Sequence, residues 1–115
     1  MRRRAVQAFG VVMVSAFLLA VGGLAAEAPK EIAVSIEGNR FTPAEITVPA
    51  GTPFILVVTN KDRAPEEFES RELRIEKVIP SGKTVRIKVA GLKKGTYPFI
   101  GDFHSKTAQG RIIAE

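Results

Sequence analysis

From residue 30 onward, apolar and polar side chains alternate in short blocks separated by turn residues. Ile32, Val34 and Ile36 point one way and Ser35 and Glu37 the other, a period of two that predicts a strand. Gly38-Asn39 closes it, and after Phe41-Thr42-Pro43 the run Glu45-Ile46-Thr47-Val48 predicts a second strand, stopped at Pro49-Ala50-Gly51. Phe54 to Thr59 is nearly all apolar, the pattern of a strand covered on both faces. Asn60-Lys61-Asp62 ends it. Phe68 to Ile79 mixes charges with Leu73, Ile75 and Val78; its period fits neither strand nor helix, so the segment reads as irregular with one short strand. Pro80-Ser81-Gly82-Lys83 turns the chain into Thr84 to Ala90, where Val85, Ile87 and Val89 alternate with Arg86 and Lys88 in a half-exposed strand. Thr96 to Ile100 and Arg111 to Ala114 supply the last two strands. Tyr97, just beyond Gly95, is placed for a tyrosine-corner hydrogen bond. About seven or eight short strands with regular turn signals and no helix predict an all-β, Greek-key, two-sheet β-sandwich, one domain over residues 27–115.

The N-terminal residues have a different character. Met1-Arg2-Arg3-Arg4 precedes an apolar run from Ala5 to Ala26, the layout of a secretory signal peptide over residues 1–26, with small residues suited to cleavage after Ala25 or Ala26. An uncleaved anchor is the alternative, since about 20 apolar residues suffice to cross a bilayer. Both place the domain outside the cytoplasm, in the periplasm. The leader carries three of the 17 basic residues and none of the 12 acidic ones, so the rest of the chain holds 14 against 12, a net +2. The basic character of the whole chain is thus largely the leader's, and no basic cluster interleaved with aromatics is present to bind nucleic acid. There is no cysteine, and both methionines, Met1 and Met13, lie in the leader. The domain must be held together by core burial without disulfides, which is marginal at this size.

Three landmarks in order resemble the cupredoxin family. Phe41-Thr42-Pro43-Ala44-Glu45-Ile46-Thr47-Val48-Pro49-Ala50-Gly51 is similar to the family's opening motif of Phe-x-Pro, Ile-x-Val and Gly. Asn60-Lys61-Asp62 resembles the Asn-x-Asp before its first ligand loop, and Gly95-Thr96-Tyr97-Pro98-Phe99 leading to His104 resembles the strand that delivers its later ligands. The resemblance covers residues 31–115 and implies a type 1 copper site built from His, Cys, His and Met. Carried over by position, these ligands fall on Glu66, Gly101, His104 and the neighbourhood of Ala108, so only His104 is kept. The departures, Glu66-Glu67-Phe68-Glu69-Ser70 and Gly101-Asp102-Phe103-His104, look like the cupredoxin-like domain of the EfeO type. That resemblance implies periplasmic handling of iron or copper in ferrous-iron uptake.

Blue copper needs a thiolate, which this chain cannot supply, whereas nitrogen and oxygen donors suit Fe, Mn, Zn or Cu(II) and disfavour Cu(I). His104 is the sole histidine and the first candidate ligand, with Asp102 two residues before it. Glu66, Glu67 and Glu69 form the second candidate group. Strand alternation about Phe68 points Glu66 inward with it and toward the site, so Glu66, His104 and Asp102 are expected to make a mixed carboxylate and imidazole centre, with Glu67 and Glu69 as further candidates. As a loop residue, His104 is expected to contribute little to the core, and Phe103 to cap the site or join the core. A charged loop and a surface histidine that bind nothing are the plain alternative.

With one histidine and no clear nucleophile, a Ser-His-Asp hydrolase is excluded, and no glycine-rich phosphate loop occurs. The expected function is a periplasmic metal-binding protein holding a copper or iron ion, accessory to ferrous-iron uptake and partnered by a membrane iron permease or another uptake component. The alternative is a metal-free cupredoxin-like interaction module. An oxidase in its own right ranks last, because a single mononuclear site offers no relay for electrons.

Overall fold

Alternation becomes burial strand by strand in the computed structural model, which describes residues 28–115; the leader expected over 1–26, with its cleavage point, lies outside the described residues. Strand β1 (Lys30–Glu37) buries Val34 and Ile36, and β2 (Arg40–Thr42) buries Phe41 between two exposed neighbours. The strands β3 (Glu45–Val48), β4 (Phe54–Asn60) and β7 (Thr84–Val89) follow the predicted pattern. So do β8 (Gly95–Gly101) and β9 (Gln109–Ala114). With β5 (Glu66–Ser70) and β6 (Ile75–Ile79), two sheets result, ordered β2-β1-β4-β7 and β3-β9-β8-β5-β6. Their inner faces bury Val34, Ile36, Leu56, Val58, Phe68, Phe99 and Ile112 in one core. The parallel pairs β1 with β4 and β3 with β9 mark where the chain crosses between sheets.

The segment expected to be irregular is a hairpin, β5 (Glu66–Ser70) and β6 (Ile75–Ile79), paired antiparallel with Phe68 opposite Lys77. Together with β2 it raises the count to nine strands among the described residues. Alternation in β5 is complete, since Glu66, Phe68 and Ser70 are all buried. Two of those three inward positions are polar, so an apolar periodicity cannot reveal them. Ser70 Oγ is accommodated by donating to the Pro98 carbonyl at 2.8 Å, as buried polar groups require.

Aromatic packing ties the sheets together beneath the end that carries the candidate site. The Phe68 and Phe99 rings stack at 4.9 Å, and Phe41 from the other sheet meets both edge-on, at 5.9 and 4.9 Å. Gly110 makes room for this cluster: a Cβ there would lie 2.3 Å from Phe99 Cζ. At the opposite end Tyr97 Oη donates to the Lys93 carbonyl at 2.7 Å, the corner hydrogen bond expected from its position after the turn.

Candidate functional site

Each side of the site is held by its own backbone device. On the β4 side, buried Asn60 donates through Nδ2 to the carbonyls of Ala64 and Ile79 at 2.9 and 3.0 Å and accepts from the Asp62 N–H. The Asp62 carboxylate in turn accepts from the N–H groups of Gly38 and Asn39 at 2.8 and 2.9 Å. The Asn60-Lys61-Asp62 turn therefore fastens the loop that delivers Glu66 to both neighbouring connections. On the β8 side the chain leaves Gly101 into a single 3-10 turn, η1 (Asp102–His104). The Gly101 N–H donates to the Ala108 carbonyl at 2.8 Å and the Ala108 N–H to the His104 carbonyl at 2.9 Å. This closes residues 102–107 into a compact loop above the β5 end.

Glu66 and His104 meet directly. Glu66 Oε2 lies 2.7 Å from His104 Nδ1, while Oε1 accepts the N–H groups of Glu67 and Phe103, both at 2.9 Å. The Glu66 side chain is 1% exposed and that of His104 29%. A buried carboxylate is tolerable only with such a full set of donors. His104, expected as a loop residue to contribute little to the core, is the side-chain partner of a buried carboxylate.

Glu66, Gly101, His104 and Ala108 converge, as the ligand positions of the resemblance require. A Cβ on Gly101 would stand 2.6 Å from Glu66 Cδ and 2.7 Å from Ala108 Cβ. The Glu66 carboxyl group thus occupies the space that a side chain at position 101 would enter. With no cysteine in the sequence, and no room beside Glu66 for one at position 101, the residues present do not fit type 1 copper. They fit an ion that accepts nitrogen and oxygen donors.

The remaining candidates form a second group. Alternation turns Glu67 and Glu69 to the outer face of β5, and Glu76 stands opposite Glu69 on β6. One carboxylate oxygen from each of Glu67, Glu69 and Glu76 lies within 4.8 Å of the others. Asp102 faces this group: its charge raises the proton affinity of both Glu67 and Glu69, second only to their partial desolvation, and Glu76 adds to the repulsion. Asp102, expected from sequence to join Glu66 and His104, stands close to Glu67 and Glu69, and Glu76 is the member that sequence reading missed. Its signal lay in the unrecognised hairpin, whose register alone brings Glu76 across from Glu69. Phe103, expected as a cap or core residue, is 48% exposed and contributes its backbone N–H to Glu66 instead.

Comparison with known proteins identifies the family and the fold. Residues 9–114 match the family described as the cupredoxin-like domain. The chain is 41% identical over 83 residues to the uncharacterized protein RP394 of Rickettsia prowazekii (strain Madrid E), covering 72% of this chain and 66% of that protein, just under two thirds of its length. Among solved structures it is similar to auracyanin A, a blue copper protein of the green thermophilic photosynthetic bacterium Chloroflexus aurantiacus, with a TM-score of 0.66, 15% identity and coverage of 76% and 100% of the two chains. It is also similar to the metal-binding domain of the Cu(I)-exporting P-type ATPase CopA of Streptococcus pneumoniae D39, with a TM-score of 0.67, 17% identity and coverage of 78% and 89%. At these identities the structural likeness establishes the fold.

Proposed function

The chain belongs to the cupredoxin-like domain family, and from that premise we propose that it is a periplasmic metal-binding protein that holds a Cu(II) or iron ion at its His104 end and serves ferrous-iron uptake. The observation that carries this reading is the contact between Glu66 and His104 at 2.7 Å, at two of the four positions where the resemblance puts metal ligands. A metal-binding histidine characteristically gives its other ring nitrogen to a carboxylate, which fixes its orientation and raises its basicity. The blue copper protein and the copper exporter's domain share this fold, and copper is therefore a natural cargo for it. Without cysteine, and with methionine only at positions 1 and 13, the preference shifts from Cu(I) to Cu(II) and iron. The EfeO-type departures at residues 66–70 and 101–104 support service to ferrous uptake, with a membrane iron permease or another periplasmic uptake component as partner.

When bound, the ion would supply Lewis acidity or, for copper and iron, a one-electron couple. The protein's own part is to hold an imidazole in one orientation, to keep the Glu66 side chain out of water, and to gather the carboxylates of Glu67, Glu69, Glu76 and Asp102 nearby on the outer face of the β5–β6 hairpin. Such a concentration of negative charge raises the local concentration of cations. The test is calorimetric titration of Fe(II), Cu(II) and Zn(II) into the domain and into H104A and H104Q. Wild-type binding that both variants lose supports the reading. Equal binding by H104A and wild type overturns it.

One observation favours a second reading, a metal-free interaction module. Three protein donors already serve the Glu66 carboxylate, so the pair is internally complete. Failure of the wild type to bind any of the three metals would leave that account in place.

A further inference from the structure

Resting on the metal-binding reading, we infer that the two residues of the pair have different roles: Glu66 positions the imidazole, and His104 receives the metal through Nε2, on the solvent side of the pair. Three observations lead there. Both Glu66 oxygens are engaged, Oε1 by two backbone N–H groups and Oε2 by the imidazole, in a side chain that water barely reaches. Backbone N–H groups can only donate, so Glu66 faces them as an acceptor, and the 2.7 Å contact to Nδ1 is the length of a charge-assisted N–H to carboxylate bond. A carboxylate Oε2 can only accept, so the proton of this bond belongs to Nδ1, and in the neutral imidazole the lone pair then lies on Nε2.

The second nitrogen is also the accessible one. Nε2 makes no hydrogen bond to any described residue, and among these residues no buried side-chain nitrogen or oxygen lacks a partner. An unbonded Nε2 must therefore reach solvent, in keeping with the partial exposure of the ring. Access to Nδ1 is blocked by Glu66, whose Oε2 lies against it and whose carboxyl group is itself packed against Gly101 with no room for an added carbon. A metal on Nε2 leaves the buried pair intact, whereas a metal on Nδ1 requires it to be broken. In this chain the ion accordingly sits outside the four converging positions, with coordination positions open to a partner or to water.

The experiment is a long-range proton–nitrogen correlation spectrum of His104, recorded at about pH 8, above the ordinary imidazole range, on the wild-type protein without metal and with Zn(II), and on E66Q. Without metal, the wild type should show Nδ1 protonated and Nε2 bare, and Zn(II) should shift Nε2 with the Nδ1 proton retained. In E66Q the amide oxygen still accepts the two backbone N–H groups, but its NH2 group faces Nδ1 and turns that atom into an acceptor. The tautomer should invert and Zn(II) affinity should fall about tenfold or more, the usual effect of losing an orienting partner. A metal-free wild-type spectrum with Nε2 protonated, or a Zn(II) coordination shift on Nδ1, overturns the inference while leaving metal binding itself intact. Absence of any Zn(II) effect on His104 overturns both.

Discussion

A glutamate that is 1% exposed is an expensive residue to keep, and Glu66 is kept in an ionisable pair rather than replaced by an apolar side chain. Removing one member of a buried pair costs more than removing both, because the survivor stays buried without its partner. H104A should therefore destabilise the domain by about 1–3 kcal/mol, the range for an orphaned buried polar group. The same change in an E66Q background should cost clearly less. Chemical denaturation of the four proteins, read as a double-mutant cycle, checks this; equal costs in both backgrounds would show that the pair is uncoupled. Gly101 gives a second residue-level expectation. The Cβ introduced by G101A meets Glu66 and Ala108 at under 3 Å, so the variant should lose about 1–3 kcal/mol by overpacking. For the same reason G101C alone should unfold more readily than the parent and give no blue copper colour, which absorption of a copper-loaded sample reads directly.

The hairpin of β5 and β6 joins the site to the rest of the sandwich and carries the acidic outer face. Partial desolvation and the charge of Asp102 raise the proton affinities of Glu67 and Glu69 in the folded state above their ordinary carboxylate values. An acid with a raised folded-state value favours folding in its protonated form. That benefit is present below the unfolded carboxylate range and lost as pH rises through the raised values. E69Q should therefore raise the thermal midpoint at about pH 7, and the gain should disappear on acidification through the carboxylate range and shrink in high salt. An unchanged midpoint at neutral pH would contradict this account of the acidic face. On the inner side, F68A removes a fully buried ring stacked on Phe99, with an expected loss of about 3–5 kcal/mol in a denaturant titration. This hairpin also marks the limit of what the sequence discloses. Strands such as β1 and β7 were legible because their inward residues are apolar, Val34 and Ile36 in one and Ile87 and Val89 in the other. In β5 the inward set is Glu66, Phe68 and Ser70, and its polar members are completed by partners from distant β8 and η1. Alternation about Phe68 did place Glu66 inward beside His104. The outward turn of Asp102 depends on the 3-10 geometry of η1, and the arrival of Glu76 on the register of β6, neither of which local pattern encodes.

Seen whole, the molecule puts stability and chemistry at different places. The core is aliphatic and aromatic, contains no sulfur within residues 27–115, and supports one end at which a buried carboxylate, an imidazole and four outer carboxylates gather. The family resemblance legible in Phe41 to Gly51, Asn60 to Asp62 and Gly95 to Phe99 holds for the fold, and the same three segments build the frame: Phe41 enters the aromatic cluster, Asn60 fastens the Glu66 loop, and Tyr97 locks the far corner. What changed within that frame is the filling of the ligand positions. Two places at this end offer donors to a cation, the His104 imidazole and the face of Glu67, Glu69 and Glu76, and locating the ion separates them. The most direct measurement is anomalous diffraction at the zinc edge from crystals of the domain grown with Zn(II). The account predicts a peak within bonding distance of the His104 imidazole, about 2.0–2.1 Å for a zinc to nitrogen bond. A peak confined to the Glu67, Glu69 and Glu76 face, or no peak at all, would contradict it.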